Sequence, residues 1–413
     1  MVTLVKKALR RVRYRYLPRV AAALMFVPFL FLLVPVLYVF ELFRPVRIAN
    51  LDSMRVGHFT GPLDIFLRKI ELKKIRSDCF YIFTSPRPAA NQTVMNLFKK
   101  KLNIIESTFL SWIHQTMLPY LRYTRFHHDL SYDYSAYEVY DKGTVPVAFS
   151  DEEEKLGQQK LREMGIGPND WFVCFHARDA NYVYKWFNQA AHSGKYTQAD
   201  FAFSDYRNEN ILTYLKAMRY ISKQGGYALR MGAIVEKPLP QTGDPKIIDY
   251  ATQWRSDFMD TYLLAKCKFL LFDSAGLYTI STLFNRPVVL ANYLLSSVPV
   301  GLKIFFQYKK FWDKKQNAYV SFNELQRQGV ASGMKHGDFL RHLIKNRGKF
   351  ISNTDDEILN LVVESNEILD GVRTPNAPAQ KAIRGFYNSG YSKFDQMAIL
   401  SGLYFEKNRE LFE

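Results

Sequence analysis

Short apolar runs closed by turn residues or charge alternate along this chain with stretches whose apolar positions recur every three or four residues. Over residues 46–165 the pattern predicts a strand at Arg47–Leu51, then the turn "RVGHF" (55–59) into a helix carrying Leu63, Ile65 and Phe66. A second strand is expected at "CFYIFTS" (79–85), closed by Pro86 and Pro88, and "NLFKKKLNIIESTFLSWIHQTMLPYL" (96–121) reads as helical. Ser150 caps an acidic surface helix in "SDEEEKLGQQKLREMGI" (150–166). The alternation then becomes regular. Strands are expected at "WFVCFH" (171–176), "YALRMG" (227–232), "KIIDYA" (246–251), "KFLLFDS" (268–274) and "RPVVLAN" (286–292). Helices at "NENILTYLKAMRYISKQGG" (208–226), "SDFMDTYLLAKC" (256–267) and "AGLYTISTLFN" (275–285) separate most of them. Continuous apolar strands alternating with helices are the pattern of a parallel sheet covered on both faces, so the fold class is α/β.

The remaining tail, 301–413, reads as mostly helical. "TDDEILNLVVESNEIL" (354–369) opens with a capping box, Thr354 and Glu357, and places Ile358, Leu361, Val362, Ser365 and Ile368 on one face. The expected division is 1–45 as a basic N-terminus with an apolar segment, 46–165 and 166–300 as two Rossmann-like domains, and 301–413 as a helical extension.

Charge changes the picture at the N-terminus. Lys and Arg outnumber Asp and Glu 56 to 39, a net +17, and residues 1–19 hold seven of the basic residues and no acid. Val20–Phe40 comes next without a charge and is long enough to cross a bilayer, with Pro28 and Pro35 making a kinked or re-entrant helix as plausible as a straight span. Lysine and arginine beside such a segment point to anionic lipid, and the N-terminus is expected in the cytoplasm. Cys79, Cys174 and Cys267 are widely spaced and read as buried thiols, which favours a reducing compartment and hence the cytoplasmic face of a membrane. No nucleic-acid module is present. No Asp-x-Asp occurs, and no His or Cys spacing suits a metal.

Ligands of open parallel sheets bind beyond the carboxyl ends of the strands, so the residues directly after each apolar run are the candidates for contact. His176, Arg178 and Asp179 come after the first, Arg230 and Gly232 after the second, Asp249 after the third, and Ser274, Ala275 and Gly276 after the fourth. "FDSAGL" reads as a phosphate seat of backbone N–H groups at a helix start, to which Arg178 and Arg230 could add bidentate contacts. Each residue has a plainer reading: a tight turn for Ser-Ala-Gly, a pair with Asp249 or Asp260 for Arg230, a core histidine for His176. In the first half, Arg55, Gly57 and His58 lie in a turn expected to face a cleft, with His58 a general base or a helix cap. Tyr206 and Arg207 precede a helix in a loop that could cover a ligand. "RFHHD" (125–129) reads as a polar loop.

"CFHARD", "DYRNENILTYLKAMRYISKQGGYALRMG", "IIDYA" and "DFMDTYLLAKCKFLLFDSAGLYTISTLFNRPVVLAN" resemble a family of bacterial glycosyltransferases found among cell-surface polysaccharide genes, over about 171–293, and "RVGHF" resembles a motif nearer that family's N-terminus. More distantly, His176-x-Arg178 is similar to the motif of GDP-fucose-dependent fucosyltransferases of the GT-B fold, whose arginine contacts the donor diphosphate. The resemblance implies two Rossmann-like domains of GT-B type, a nucleotide-sugar bound mainly by the second, and no required metal; it does not imply which sugar. Hexosyl or deoxyhexosyl transfer without a cofactor is the expected activity, and the apolar segment beside a cleft makes a cell-surface glycan or lipid-linked acceptor the expected one. The base left open is His58 or Asp179. A membrane-attached binding or scaffold protein without catalysis is the alternative.

Overall fold

The computed structural model describes residues 34–133, 135–181, 206–273, 275–295, 300–328, 340, 343–387 and 391–413. The chain forms two compact units, Met1–Tyr132 and Asp133–Glu413.

The N-terminal unit runs β1 (Val46–Asn50), α1 (Val56–Glu71), β2 (Phe80–Ser85), α2 (Gln92–Lys99), β3 (Asn103–Glu106) and α3 (Thr108–Leu121), with the strands parallel in the order β1-β2-β3. Phe59, Leu63, Ile65 and Phe66 give α1 its buried face. The strand β3 was not expected, because its Ile104-Ile105 pair fits the helical repeat on either side. The readable signal is Ser107, whose hydroxyl accepts from Leu110 N and starts α3. After α3 the chain returns to the free side of β1. Ile48 N donates to Phe126 O at 2.7 Å and His128 N donates to Ile48 O at 2.9 Å, a parallel bridge. The segment "RFHHD" therefore pairs with the sheet instead of forming the expected loop.

The C-terminal unit is built on seven parallel strands. In chain order it runs α4 (Asp151–Glu163), β4 (Phe172–Phe175), α5 (Leu215–Lys223), β5 (Tyr227–Arg230), β6 (Ile247–Ile248), α6 (Asp257–Lys266), β7 (Leu270–Phe272), α7 (Tyr278–Leu283), β8 (Val288–Tyr293) and β9 (Ile304–Tyr308). A small antiparallel sheet of β10 (Lys310–Asp313), β11 (Ala318–Val320) and β12 (Gly348–Ile351) comes next, then α8 (Asp355–Leu369) and β13 (Ala398–Leu400). The strand order is β13-β9-β8-β7-β4-β5-β6. Val173, Phe175, Leu271, Val289, Phe305 and Ile399 pack on one face against Ala217, Met218 and Ile221 of α5 and Ile358, Leu361 and Val362 of α8. Helix α8 opens with the expected box: Thr354 accepts from Glu357 N, and the Glu357 carboxylate accepts from Thr354 N.

The tail corrects the expectation of a helical extension, since β9 and β13 complete the central sheet. "IFFQY" (304–308) is buried at every position, so it has no alternation by which to be told from a helix. Among the described residues no helix is long and apolar enough to cross a membrane. Of Val20–Phe40, residues 34–40 are described, within a helix over 34–41, and the rest lies outside the described residues. All three cysteines are buried and free, as expected.

Candidate functional site

Strand order in the C-terminal unit reverses at one place. From β4 the chain adds β5 and β6 on one side, then returns to put β7, β8, β9 and β13 on the other. Loops leaving β4 and β7 therefore diverge in opposite directions and open a crevice at their carboxyl ends. His176 and Arg178 follow β4, and Asp273 follows β7. Arg178 N donates to Asp273 Oδ2 at 2.6 Å, and the Arg178 carbonyl accepts from Glu209 N at 3.0 Å. The arginine's backbone is thus fixed from both sides of the crevice. His176 N donates to Leu271 O at 2.9 Å, while its Nδ1 lies 3.8 Å from Asp273 Oδ1, beyond hydrogen-bond reach. Both atoms are buried without a hydrogen-bond partner.

Four side chains of this unit were missed by the sequence reading: Lys309, Glu209, Tyr214 and Gln307. Lys309, just past β9, pairs its ammonium with Glu209 and donates to Tyr206 O at 2.5 Å, and both side chains are buried. Burial raises the Glu209 carboxyl above its usual range although Lys309 pulls it down, with the Asp273 charge adding to the rise. Tyr214 is pushed far up, first by burial and then by Asp273 and Glu209, so these groups share one electrostatic environment. Gln307, in β9, has neither amide atom hydrogen-bonded. A lysine directly after the run "IFFQY" was the available signal; the partners come from distant segments.

The remaining candidates are distributed around this crevice. Arg230 Nη1 donates to Asp249 Oδ1 at 3.0 Å, both groups buried, so the pairing left open by the sequence falls on Asp249. Asp260 instead accepts from Tyr250 and Arg255. Asp249 Oδ2 also takes Leu239 N and Thr252 Oγ1, each at 2.8 Å, and Asp249 borders a groove of about 340 Å³ beside β6 with Leu239, Pro240, Thr242 and Trp254. Gly232 has φ +153°, and a Cβ there would lie 2.6 Å from Val235 Cγ1. Asp179 gives one oxygen to Asn181 N at 2.8 Å and the other to Glu236 N at 2.7 Å, bracing two loops. Ser274 lies outside the described residues. Ala275 N donates to Asp273 O at 2.9 Å, and Gly276 O accepts from Thr279, with α7 starting at Tyr278, later than expected. Tyr206 packs its ring 5.9 Å from Phe350, with Arg207 next to it in a short helical turn.

In the N-terminal unit the strand order reverses beside β1, between it and residues 126–128. Asp52 follows β1, and its Oδ2 lies 3.0 Å from His58 Nδ1, each side chain about half exposed. Asp52 was not singled out in the sequence. Arg55 is the N-cap residue of α1, makes no side-chain cap, and accepts His58 N through its carbonyl at 3.0 Å; Gly57 lies in the first turn. His127 and His128 lie on opposite sides of their segment, His128 against Phe66 and Tyr81, His127 edge-on to His114. Burial, with His127 adding, lowers His114 to about 4. Among the described residues no group of three or more His, Cys, Asp or Glu side chains could hold a metal ion.

No protein-family model matches the chain, and no curated protein matches it. Among solved structures it is similar to a glycosyltransferase family 9 protein from Veillonella parvula, with 10% identity over 78% of this chain and 97% of that one at a TM-score of 0.42. It is also similar to the E. coli ADP-heptose LPS heptosyltransferase II, with 13% identity over 59% and 84% at 0.34. A third is the iron-containing dodecameric glycosyltransferase TibC of enterotoxigenic E. coli, with 13% identity over 79% and 77% at 0.36.

Proposed function

We propose that this chain is a membrane-associated glycosyltransferase of GT-B type, moving a sugar from a nucleotide-sugar donor to a cell-surface glycan or lipid-linked acceptor without a required metal. The observation that carries this reading is the β4–β7 reversal, with the Arg178 backbone fixed across it by Asp273 and Glu209. When the bond from sugar to phosphate breaks, negative charge builds on the leaving nucleotide. A guanidinium on a fixed backbone can meet two phosphate oxygens at once, supplying the charge that a metal would otherwise supply. The buried His176 Nδ1, just after β4, lacks a hydrogen-bond partner and suits a hydroxyl or phosphate group of a ligand. The N-terminal unit takes the acceptor in this reading, with His58 at its own strand reversal. Arg230 and Asp249, held by each other, shape the donor side instead of touching phosphate.

Membrane attachment belongs to the same proposal. Seven basic residues precede the apolar run, and Val39, Phe40, Leu42 and Phe43 at its end are exposed. A polybasic stretch beside such a surface favours anionic lipid on the cytoplasmic side.

The test is a melting-temperature screen of the detergent-purified chain against GDP-, UDP-, ADP- and CMP-sugars, without and with magnesium, repeated on Arg178→Lys. One nucleotide class should raise the melting temperature without metal, and the variant, with a point charge for a planar fork, should lose that rise while melting normally unliganded. A chain that none of the four stabilises would be a scaffold.

A further inference from the structure

We infer that the outer face of α3 is a second lipid contact of the N-terminal unit, an aromatic band that lies at the headgroup level of an anionic bilayer. This rests on the membrane attachment proposed above. Helix α3 buries Ser111, His114, Met117 and Leu121, three or four residues apart, so the side chains half a turn round from them point away from the core. Those are Phe109, Trp112, Tyr120 and, just past the helix, Tyr123, all exposed. Phe109 and Trp112 stack with ring centroids 6.3 Å apart. From Thr108 to Leu121 there is no Asp, Glu, Lys or Arg, whereas the solvated helix α4 carries charge at most of its positions. An uncharged helix with large rings on its outer side is not built to face water, and an exposed apolar patch of this kind marks an interaction surface.

Charge and continuity select the occupant. Between Glu106 and Asp129 the charged residues, histidines aside, are Arg122 and Arg125, both exposed. Arg122 lies over the Tyr123 ring, 4.8 Å from its centroid, and donates to its hydroxyl at 2.8 Å. Arg125 joins this end of α3 to the helix over 34–41: its Nη1 is 3.2 Å from Glu41 Oε2, and its guanidinium lies 5.2 Å from the Tyr38 ring centroid. Phe126, the next residue, packs with Leu37 and Val46. The segment so joined ends the uncharged run that follows seven basic residues, and it exposes Val39, Phe40, Leu42 and Phe43. The aromatic band thus continues the surface already assigned to lipid. Tryptophan and tyrosine rings favour the headgroup level, where arginines meet lipid phosphates. A second copy of the chain, by contrast, would bring the same arginines against one another. Two contacts fix the tilt of the unit on a bilayer, where one leaves it free to turn.

Trp112 is the only tryptophan in residues 1–132, so it reports on this face in the intact chain. The full-length chain and Trp112→Phe are placed in vesicles of phosphatidylglycerol and phosphatidylcholine, the latter brominated on its acyl chains. Bromine should quench the tryptophan emission of the parent, and Trp112→Phe should lose most of that quenching. Replacing Phe109 and Tyr120 together by serine should weaken the quenching of Trp112 roughly twofold or more and open it to aqueous acrylamide to a similar degree. Vesicle-bound chain whose quenching survives Trp112→Phe unchanged, or whose Trp112 stays fully open to acrylamide, overturns this inference and leaves the attachment in place. Chain that does not float with the vesicles overturns the attachment and this inference with it. A dimer in detergent that Trp112→Glu turns into a monomer gives the face to a second copy and also overturns the lipid contact. None of these readouts uses a sugar nucleotide, so the transferase reading stands or falls separately.

Discussion

The backbone N–H of Arg178 donates to the Asp273 carboxylate at 2.6 Å, joining the ends of two strands that diverge in topology. Asp273 is almost wholly buried, so its negative charge is held close to the arginine's main chain and not in solvent. Asp273→Ala should leave that amide without its acceptor and lower stability by about 1–3 kcal/mol, read by urea unfolding. It should also remove the donor-induced rise in melting temperature, because the loop carrying Arg178 is no longer fixed. Loss of stability with full donor response would make Asp273 a fold residue only.

Arg230 offers the opposite test. Its pair with Asp249 is buried on both sides, and removing one partner of such a pair leaves an uncompensated charge. Arg230→Met should cost about 3–5 kcal/mol in unfolding measurements while leaving donor affinity of the folded fraction within a few-fold. A variant as stable as the parent but blind to donor would return Arg230 to the phosphate site.

Gly232, two residues on, has a backbone that only glycine adopts cheaply, and a methyl group there would meet Val235. Gly232→Ala should destabilise by roughly 1–3 kcal/mol, and Gly232→Ala with Val235→Ala should recover the steric share but not the share due to φ. Full recovery by the double variant would show that backbone conformation contributes nothing.

Much of this was legible in the sequence wherever one residue's neighbours along the chain decide its state. The run "WFVCF" is a strand because nothing polar interrupts it, and the Thr354–Glu357 box starts a helix because both caps lie within one turn. Arg178 drew attention for the same local reason, as charge placed directly after a buried strand. The chain pattern was silent where distant segments decide. Lys309 matters because Glu209 meets it, and Asp52 because α1 turns His58 back toward it. The strands β9 and β13 were lost because residues buried on both faces carry no period. A single chain also gives no sign that Arg230 would choose Asp249 over Asp260, since which acid reaches it is decided by how distant segments pack.

His114 supplies a pH-dependent prediction for the N-terminal unit. It is almost fully buried, its Nδ1 lies 3.1 Å from Thr84 Oγ1, and burial first, His127 second, lower its pKa to about 4. An unfolded chain takes up this proton near pH 6.5, whereas the folded one resists until about 4. Stability tied to the neutral ring is therefore fully present above pH 6.5 and lost as pH falls toward 4, amounting to on the order of 3 kcal/mol. His114→Gln should lower stability at pH 7 yet flatten the decline between pH 6.5 and 4. His128, also lowered by burial and by His127, leaves a residual slope of the same sign. Urea unfolding at pH 7, 6, 5 and 4.5, read beside an NMR titration of the His114 ring, checks both halves. A ring that protonates near pH 6.5 with the fold intact would mean that the pocket around Thr84 admits water and that His114 contributes no acid sensitivity.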